Sequence, residues 1–237
     1  MTRLPGDFAS SRATLHVIAA HVLGRRRFEV SGHFGLRASP GGFATPAFGE
    51  GPETVRVAGA VLVHETGADA ASVPIAGSTL RELAAFAGAD VDRDFSVGAG
   101  MPAPGDLDAP LNVGADSGRV VADWFAIGWR VLDDVLGGLA PGARPATVQL
   151  WPEHFDAGMT AASLNYGASP GDDQIPEPYL YMGPHAGPPP GDPAFWNAPF
   201  GAARTFRQIG TVAEAAAFFR DARDRTRAAA TPIRRTS

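Results

Sequence analysis

The sequence predicts an α+β fold in which an antiparallel sheet is flanked by helices. Apolar residues recur with helical spacing near the beginning, in the middle and near the end of the chain. Short segments typical of strands, separated by Gly and Pro, lie between these helical stretches. Because the strands come in runs, with a helix before and after each run, the order favours the α+β class.

The first half of the chain begins with a predicted amphipathic helix over residues 11–23. Leu15, Ile18 and Val22 share one face of this helix, and a serine is available as its cap. Ser78 opens a second, shorter helix. Between the two helices, strands are predicted at residues 28–38, 42–47, 53–57 and 60–64.

The second half repeats this order after a stretch of Gly, Pro, Asp and Ala over residues 96–116. Asp116 or Ser117 can cap the long helix that follows, and Gly137 with Gly138 ends it. Strands are predicted at residues 146–159, 163–168 and 178–182, before a closing helix that carries Val212, Ala215, Ala216 and Phe219.

We therefore expect one α+β domain over residues 1–237, built from two similar halves at residues 11–95 and 117–228. Residues 96–116 connect the halves, and residues 229–237 form a frayed tail. His33-Phe34-Gly35 stands before Ser39-Pro40-Gly41 as His154-Phe155-Asp156 stands before Ser169-Pro170-Gly171. A true duplication and chance both account for an echo of this length.

Two residue types are absent, and their absence excludes several kinds of chemistry. The chain has 0 Cys, which removes disulfides, thiolate nucleophiles and iron–sulfur clusters. It also has no Lys, so that its 20 basic residues are all Arg. Without Lys there is no Schiff base for pyridoxal phosphate and no P-loop lysine.

Charge and hydropathy indicate which partners and which cellular location to expect. The formal net charge of -5 argues against nucleic acid as a partner. No apolar run approaches the roughly 18 residues that a membrane span requires, and the first residues lack the layout of a signal peptide. We therefore expect a cytoplasmic protein whose partner, if it has one, is a small molecule; the oligomeric state stays open.

Residues 151–181 contain carboxylates, an imidazole, an amide and phenols within a chain otherwise dominated by small apolar residues. If residues 149–159 form a strand, His154 and Asp156 share one face and Glu153 points to the other. His154 is then the candidate catalytic base and Asp156 the group that orients it. Alternatively both bind a divalent metal together with His33, Glu177 or Asp172, or they form a purely structural hydrogen bond.

Several further side chains of this region are predicted to bind a ligand. Asp172 can instead cap the amides of its own turn, Ser169-Pro170-Gly171-Asp172-Asp173. Tyr179 and Tyr181 align on one face of a predicted strand. The ligand-binding candidates are Asn165, Tyr166, Asp172, Glu177, Tyr179, Tyr181, Trp196 and Asn197.

Two histidines outside this region are predicted to be ordinary core or surface residues. His16 and His21 lie five residues apart on the first helix, so that they do not share a face of a regular α-helix.

A set of short motifs resembles an uncharacterised actinobacterial protein family of unknown function. The motifs are Trp151-Pro152-Glu153-His154-Phe155-Asp156, Asn165-Tyr166-Gly167, Ser169-Pro170-Gly171-Asp172, Glu177-Pro178-Tyr179 and Phe195-Trp196-Asn197-Ala198-Pro199-Phe200-Gly201-Ala202. A weaker similarity extends over Leu15-His16 and Gly35-Leu36-Arg37. The resemblance implies a natural single-family protein and transfers no activity and no residue roles.

These observations leave two hypotheses open. The first is a small-molecule enzyme that uses acid–base or metal-assisted chemistry at a pocket built by residues 151–201. The alternative is a non-catalytic ligand-binding or protein-interaction module, in which the same side chains only make hydrogen bonds in turns and at sheet ends. The enzyme hypothesis fails if His154 and Asp156 are buried, bonded to each other and away from any cavity. It survives if they open into a pocket with Tyr179 or Tyr181.

Overall fold

The computed structural model describes residues 3–139, 143, 145–189 and 191–230. The predicted α+β class is confirmed, with two antiparallel sheets of five strands where the sequence predicted one sheet. The chain divides into two compact units. The first comprises Met1–Ala126 and Gln149–Ala157, and the second comprises Ile127–Val148 and Gly158–Ser237.

The chain begins with one long helix of three parts. These parts are α1 (Phe8–Ile18), a π-helical segment (Ala19–Gly24) and α2 (Arg25–Ser31). The helix ends at Gly32, whose φ of 71° is the left-handed conformation that favours glycine at a helix end. The strand predicted from residue 28 is therefore wrong over its first residues. Arg25 and Glu29 pair at 2.9 Å one turn apart and support the helix there.

Five antiparallel strands and a short helix follow in the first unit. The strands, β1 (Arg37–Ser39), β2 (Gly42–Ala44), β3 (Glu53–Ala58), β4 (Val61–Thr66) and β5 (Asp69–Pro74), pair in chain order. Strand β5 escaped prediction because its small side chains are almost all exposed and give no apolar alternation. Helix α3 (Leu80–Ala87) begins with a reciprocal cap between Thr79 and Glu82.

Aromatic rings fill the core of the first unit. Phe43, Phe125 and Phe155 meet edge to face, with ring centroids 5.1–6.1 Å apart. Each of the three is at most 2% exposed. The ring of Phe155 therefore anchors its turn in the core of this unit.

The second half of the chain also runs helix, five strands, helix. After helix α4 (Ala115–Gly137) come β6 (Gln149–Trp151), β7 (Asp156–Ala161), β8 (Leu164–Ser169), β9 (Tyr179–Pro184), β10 (Ala202–Thr205) and α5 (Val212–Ala230), with a 3-10 turn at Phe206–Gln208. The strands of this sheet also neighbour one another in chain order. The recurrence of this element order agrees with two similar halves, while their duplication stays a prediction.

The second unit packs its helices closely on its sheet. A Cβ atom at Gly128 of α4 would overlap the side chain of Ala168 in β8, so that only glycine allows this approach. Tyr166 of β8 meets Phe219 of α5 edge to face at 5.5 Å. These contacts form the centre of the core of this unit.

Two further predictions are the lack of a membrane-spanning segment and a tail at residues 229–237. Within the described ranges, no helix is both long and apolar enough to cross a membrane. Helix α5 continues to Ala230, and residues 231–237 of the predicted tail lie outside the described residues.

Candidate functional site

A tight turn at residues 152–155 separates β6 from β7, so the single strand predicted over residues 146–159 is wrong. The backbone amides of His154 and Phe155 both donate to the carbonyl of Trp151, at 3.2 and 2.7 Å. Phe155 has a φ of 55°, a conformation that is costly for a bulky residue. Burial of its ring in the core stabilises the turn against this strain.

The turn lies against the amino-terminal helix. The His16 ring of α1 stacks on Phe155 with centroids 5.3 Å apart and an angle of 10° between the planes. Its Nε2 lies 3.2 Å from the carbonyl oxygen of Glu153. At Gly24, the end of the π-helical segment, a Cβ atom would be 3.0 Å from Cγ of Pro152. Departures from α-helical geometry of this kind are frequent at functional sites.

The environment of His16 keeps its imidazole neutral. Burial lowers the pKa of His16 to about 4, although its hydrogen bond to the Glu153 carbonyl opposes the shift. Because a carbonyl oxygen only accepts, Nε2 carries the proton of the neutral ring, and Nδ1 is left with its lone pair. His16 is thus neutral at pH 7 and stays neutral to a lower pH than an ordinary surface histidine does.

Glu153 is the most unusual ionisable side chain of the turn. The residue is only 6% exposed, and its Oε2 atom is buried with no hydrogen-bond partner among the residues that the structure describes. Burial raises the pKa of the Glu153 carboxyl above its ordinary value. Since buried polar groups are nearly always paired, an unpaired carboxyl is a candidate for proton transfer.

His154 is exposed beside this buried carboxyl. A Cβ atom at Gly100 would lie only 2.6 Å from Nδ1 of His154, and Gly100 has a φ of 98° that favours glycine. His21 in the π-helical segment also approaches this loop, with Nε2 at 2.7 Å from the carbonyl oxygen of Pro102. The stretch predicted only as a connection therefore contributes residues 100–102 to the surroundings of the turn.

The geometry that made His154 and Asp156 a pair is not present. Their common face depended on strand alternation, which the turn interrupts at the left-handed Phe155. His154 is exposed, whereas Asp156 is 7% exposed and begins β7. Their catalytic roles stay predictions. The groups that sequence reasoning missed, Glu153 and His16, are brought together by contacts between distant segments.

A metal site receives no ligand set from the described part of the chain. No group of three or more His, Asp or Glu side chains there is placed to hold a metal ion. The metal candidates His154, Asp156 and His33 are therefore not joined into a cluster of that size. His33 is exposed just after α2.

Asp172 and two tyrosines form a second polar group, in the second unit. As predicted, Asp172 caps its own turn, because its Oδ1 accepts from the amides of Gln174 and Ile175 at 2.7 and 2.8 Å. Its Oδ2 accepts from the hydroxyl of Tyr179 at 2.5 Å. Tyr179 and Tyr181 have ring centroids 6.1 Å apart, in agreement with their predicted common face. The carboxylate of Asp172 thus serves the local structure.

The remaining ligand-binding candidates are also engaged in local interactions. Asn165 accepts from Thr160 and faces Nε2 of His185 at 3.0 Å. Asn197 exchanges two hydrogen bonds with the backbone of Ala203. Glu177 pairs with Arg207 at 3.2 Å and Trp196 packs edge to face on Phe195 at 5.0 Å.

Tyr166 is an exception among these candidates. It is 1% exposed, and its hydroxyl oxygen has no hydrogen-bond partner in the described ranges. Burial raises the pKa of the Tyr166 phenol. Its ring lies in the core of the second unit, which favours a packing role over ligand binding.

Comparison of the chain with known protein families, with curated proteins and with solved structures finds no match.

Proposed function

We propose that the protein is a small-molecule enzyme that uses acid–base chemistry at the turn of residues 152–155. The observation that carries this proposal is the buried Oε2 of Glu153, which lacks a hydrogen-bond partner among the described residues. A carboxyl in this environment exchanges its proton closer to neutral pH than an exposed one does. Glu153 is therefore assigned as the general acid or base.

Two histidines complete the proposed site. His16 fixes the backbone of Glu153 through its hydrogen bond to the Glu153 carbonyl oxygen, and it is assigned as a positioning residue. His154, which is exposed on the same turn, is assigned as the second acid–base group, on the solvent side. Asp156 receives no proton-transfer role, because its proposed action on His154 rested on strand alternation.

Strain in the turn supports the same assignment. Strained backbone conformations that persist in a folded protein cluster at active sites, where the surrounding packing holds them. Phe155, with its φ of 55°, directly follows the proposed acid–base groups Glu153 and His154 in the chain. A rigid turn of this kind holds Glu153 and His154 in fixed positions, which proton transfer requires.

The test is an assay with four chromogenic probes. They are 5-nitrobenzisoxazole, 4-nitrophenyl acetate, 4-nitrophenyl phosphate and a 4-nitrophenyl glycoside. With the first, a base removes the carbon-bound proton while the ring N–O bond breaks to give a nitrile and a phenolate. The other three release 4-nitrophenolate on hydrolysis. We expect wild-type turnover of at least one probe, reduced about 10²- to 10⁴-fold in Glu153→Gln.

The matched control is Glu50→Gln, which makes the same chemical change at an exposed glutamate of the first unit. Its turnover should equal that of the wild type. Thermal unfolding of Glu153→Gln and Glu50→Gln checks that both variants are folded. If no probe is turned over, or if Glu153→Gln keeps the wild-type rate, the enzyme proposal is wrong.

The alternative, a non-catalytic ligand-binding or interaction module, has its own support in the second unit. Asn165, Asp172 and Asn197 are all occupied by local hydrogen bonds. If the other polar side chains of residues 151–201 are occupied in the same way, none of them is left to act in catalysis. A folded wild-type protein with no Glu153-dependent turnover of any probe would favour this alternative.

We further propose a cytoplasmic protein with a small-molecule partner and without a nucleic-acid partner. The support is the composition, namely 0 Cys and a formal net charge of -5.

A further inference from the structure

A groove of about 540 Å³ in the second unit is separate from the proposed acid–base site. Its volume lies within the range of small-molecule sites. The residues that line it include Phe195, Phe218, Arg204, Arg225, Asp192 and Glu214. These side chains combine apolar walls with charges of both signs.

Arg204 lies over the aromatic wall of the groove. Its guanidinium carbon is 5.0 Å from the ring centroid of Phe195 and 5.4 Å from that of Phe218. Nη1 donates to the carbonyl of Ala203 at 2.7 Å, which fixes the side chain. Within the described ranges Arg204 forms no ion pair, so that the rest of its guanidinium remains able to bind a carboxylate.

Arg225 lies over the same phenylalanine but is already neutralised. Its guanidinium carbon is 4.1 Å from the Phe195 centroid, and its Nε pairs with Asp221 at 2.9 Å. Phe195 thus has a guanidinium stacked against it from each of two arginines. Only Arg204 of this pair is left for an anionic group of a ligand.

The charge of the groove restricts what that ligand can be. The lining contains the three carboxylates of Asp192, Glu214 and Asp221 against the two guanidinium groups of Arg204 and Arg225. One negative charge is in excess, which disfavours nucleotides and other polyanions. The excess favours a ligand that carries a cationic group together with its single anionic group.

We propose that this groove binds a small zwitterion with an apolar side chain, which is the chemical class of the apolar α-amino acids. The carboxylate of the ligand binds Arg204, and its side chain packs on Phe195 and Phe218. The ammonium group faces the acidic lining, in which Asp192 and Glu214 form no ion pair with an arginine among the described residues. This site does not depend on the proposed function of the turn at residues 152–155.

Titration calorimetry with three probes tests the site. L-phenylalanine, 3-phenylpropionate and 2-phenylethylamine share a phenyl group and differ only in charge. We expect L-phenylalanine to bind most tightly and each singly charged probe to bind at least about tenfold more weakly, since each of these probes lacks one of the two charged hydrogen-bonding groups.

Two variants assign the two ends of the ligand. Arg204→Gln should weaken L-phenylalanine and 3-phenylpropionate about tenfold and leave 2-phenylethylamine unchanged. Asp192→Asn, which keeps the Oδ1 acceptor used by the Ala194 amide, should weaken L-phenylalanine and 2-phenylethylamine and leave 3-phenylpropionate unchanged. The control is Arg207→Gln at an exposed arginine outside the groove.

Several results would overturn the proposal. They are the absence of L-phenylalanine binding at millimolar concentration, equal binding to the wild type and Arg204→Gln, and tighter binding of inorganic pyrophosphate than of L-phenylalanine. If Arg204→Gln does not fold, the Asp192→Asn variant and the order of the three probes on the wild type still decide. None of these readouts involves Glu153, so failure here is distinct from failure of the enzyme proposal.

Discussion

The turn at residues 152–155 and the segment from Asp172 to Tyr181 contain similar residue types but differ in how their polar atoms are used. The carboxylate of Asp172 accepts from two backbone amides and one phenol. The Oε2 atom of Glu153 is buried, whereas Asp172 is only half-buried, and it has no such partner in the described part of the chain. Residue type alone therefore does not distinguish an unpaired carboxyl from a hydrogen-bonded one.

The two regions are also stabilised differently. The turn depends on Phe155, whose ring is anchored among Phe43 and Phe125. The other segment depends on hydrogen bonds to Asp172. A turn anchored by an apolar ring can therefore leave its polar groups unpaired, whereas a turn built on a carboxylate uses that carboxylate as a hydrogen-bond acceptor.

The largest expected effect is on the apolar anchor of the turn. Phe155→Ala should lower the free energy of unfolding by about 3–5 kcal/mol, because it empties a buried aromatic site. Urea denaturation measures the loss. Phe28→Ala, at a ring that is 41% exposed, should cost less than about 1 kcal/mol. A loss at Phe155 no larger than that at Phe28 would show that the ring is not the anchor.

The next effect is a dependence of stability on acid that belongs to His16. A pKa lowered from 6.5 to about 4 means that the unfolded chain binds the proton more tightly, so that stability is lost as pH falls from 6.5 towards 4. The loss is about 3 kcal/mol at most. His16→Gln keeps a donor for the Glu153 carbonyl and should remove this loss.

Denaturation of the wild type and His16→Gln at pH 7 and pH 4 measures the difference. His33→Gln, at an exposed histidine, is the control and should follow the wild type. Identical pH profiles for the wild type and His16→Gln would contradict the buried, neutral state of His16.

Removing the carboxylate that holds the second region should cost stability at neutral pH. Asp172→Ala should lower the free energy of unfolding by about 2–3 kcal/mol, because two amides and the Tyr179 hydroxyl lose their acceptor. Asp133→Ala, at an exposed aspartate of α4, should change it by less than about 0.5 kcal/mol. Chemical denaturation at pH 7 compares the two, and equal effects would remove the structural role of Asp172.

The smallest effect has the opposite sign and belongs to Glu153. Because its pKa is raised in the folded protein, its ionisation destabilises the fold as pH rises above 4.5. Glu153→Gln should therefore increase the free energy of unfolding at pH 7 by about 1–2 kcal/mol, and the gain should disappear below pH 4.5. Thermal unfolding at both pH values measures it, with Glu50→Gln as the control. A loss of stability at pH 7 would mean that the carboxylate is paired.

The sequence predicts most of the fold because apolar spacing and glycine are local signals. The helix over residues 11–23, the short helix predicted to open at Ser78, and the alignment of Tyr179 with Tyr181 all follow from such signals. The cap of the short helix is Thr79, one residue after the predicted position. The extension of the first helix to Ser31 was missed, because Phe28 and Val30 are apolar residues that face solvent there. Strand β5 was missed for the opposite reason, since it has little apolar surface.

The candidate site was only partly predictable. Residue types single out the Trp151 to Asp156 motif as a candidate, but the arrangement within it depends on a left-handed Phe155 that no local pattern indicates. The burial of Glu153 and the neutral state of His16 arise from contacts between segments about 137 residues apart. Such contacts are properties of the folded chain and have no counterpart in spacing along the sequence.

We propose that Glu153 is a buried carboxyl that transfers protons. Its pKa can be measured directly by following the side-chain carboxyl carbon of Glu153 by NMR between pH 3 and pH 9, with Glu153→Gln to assign the signal. We predict a pKa for Glu153 above the ordinary value of 4.5. A pKa at or below 4.5 would contradict the claim, because it would show a carboxylate stabilised by solvent or by partners.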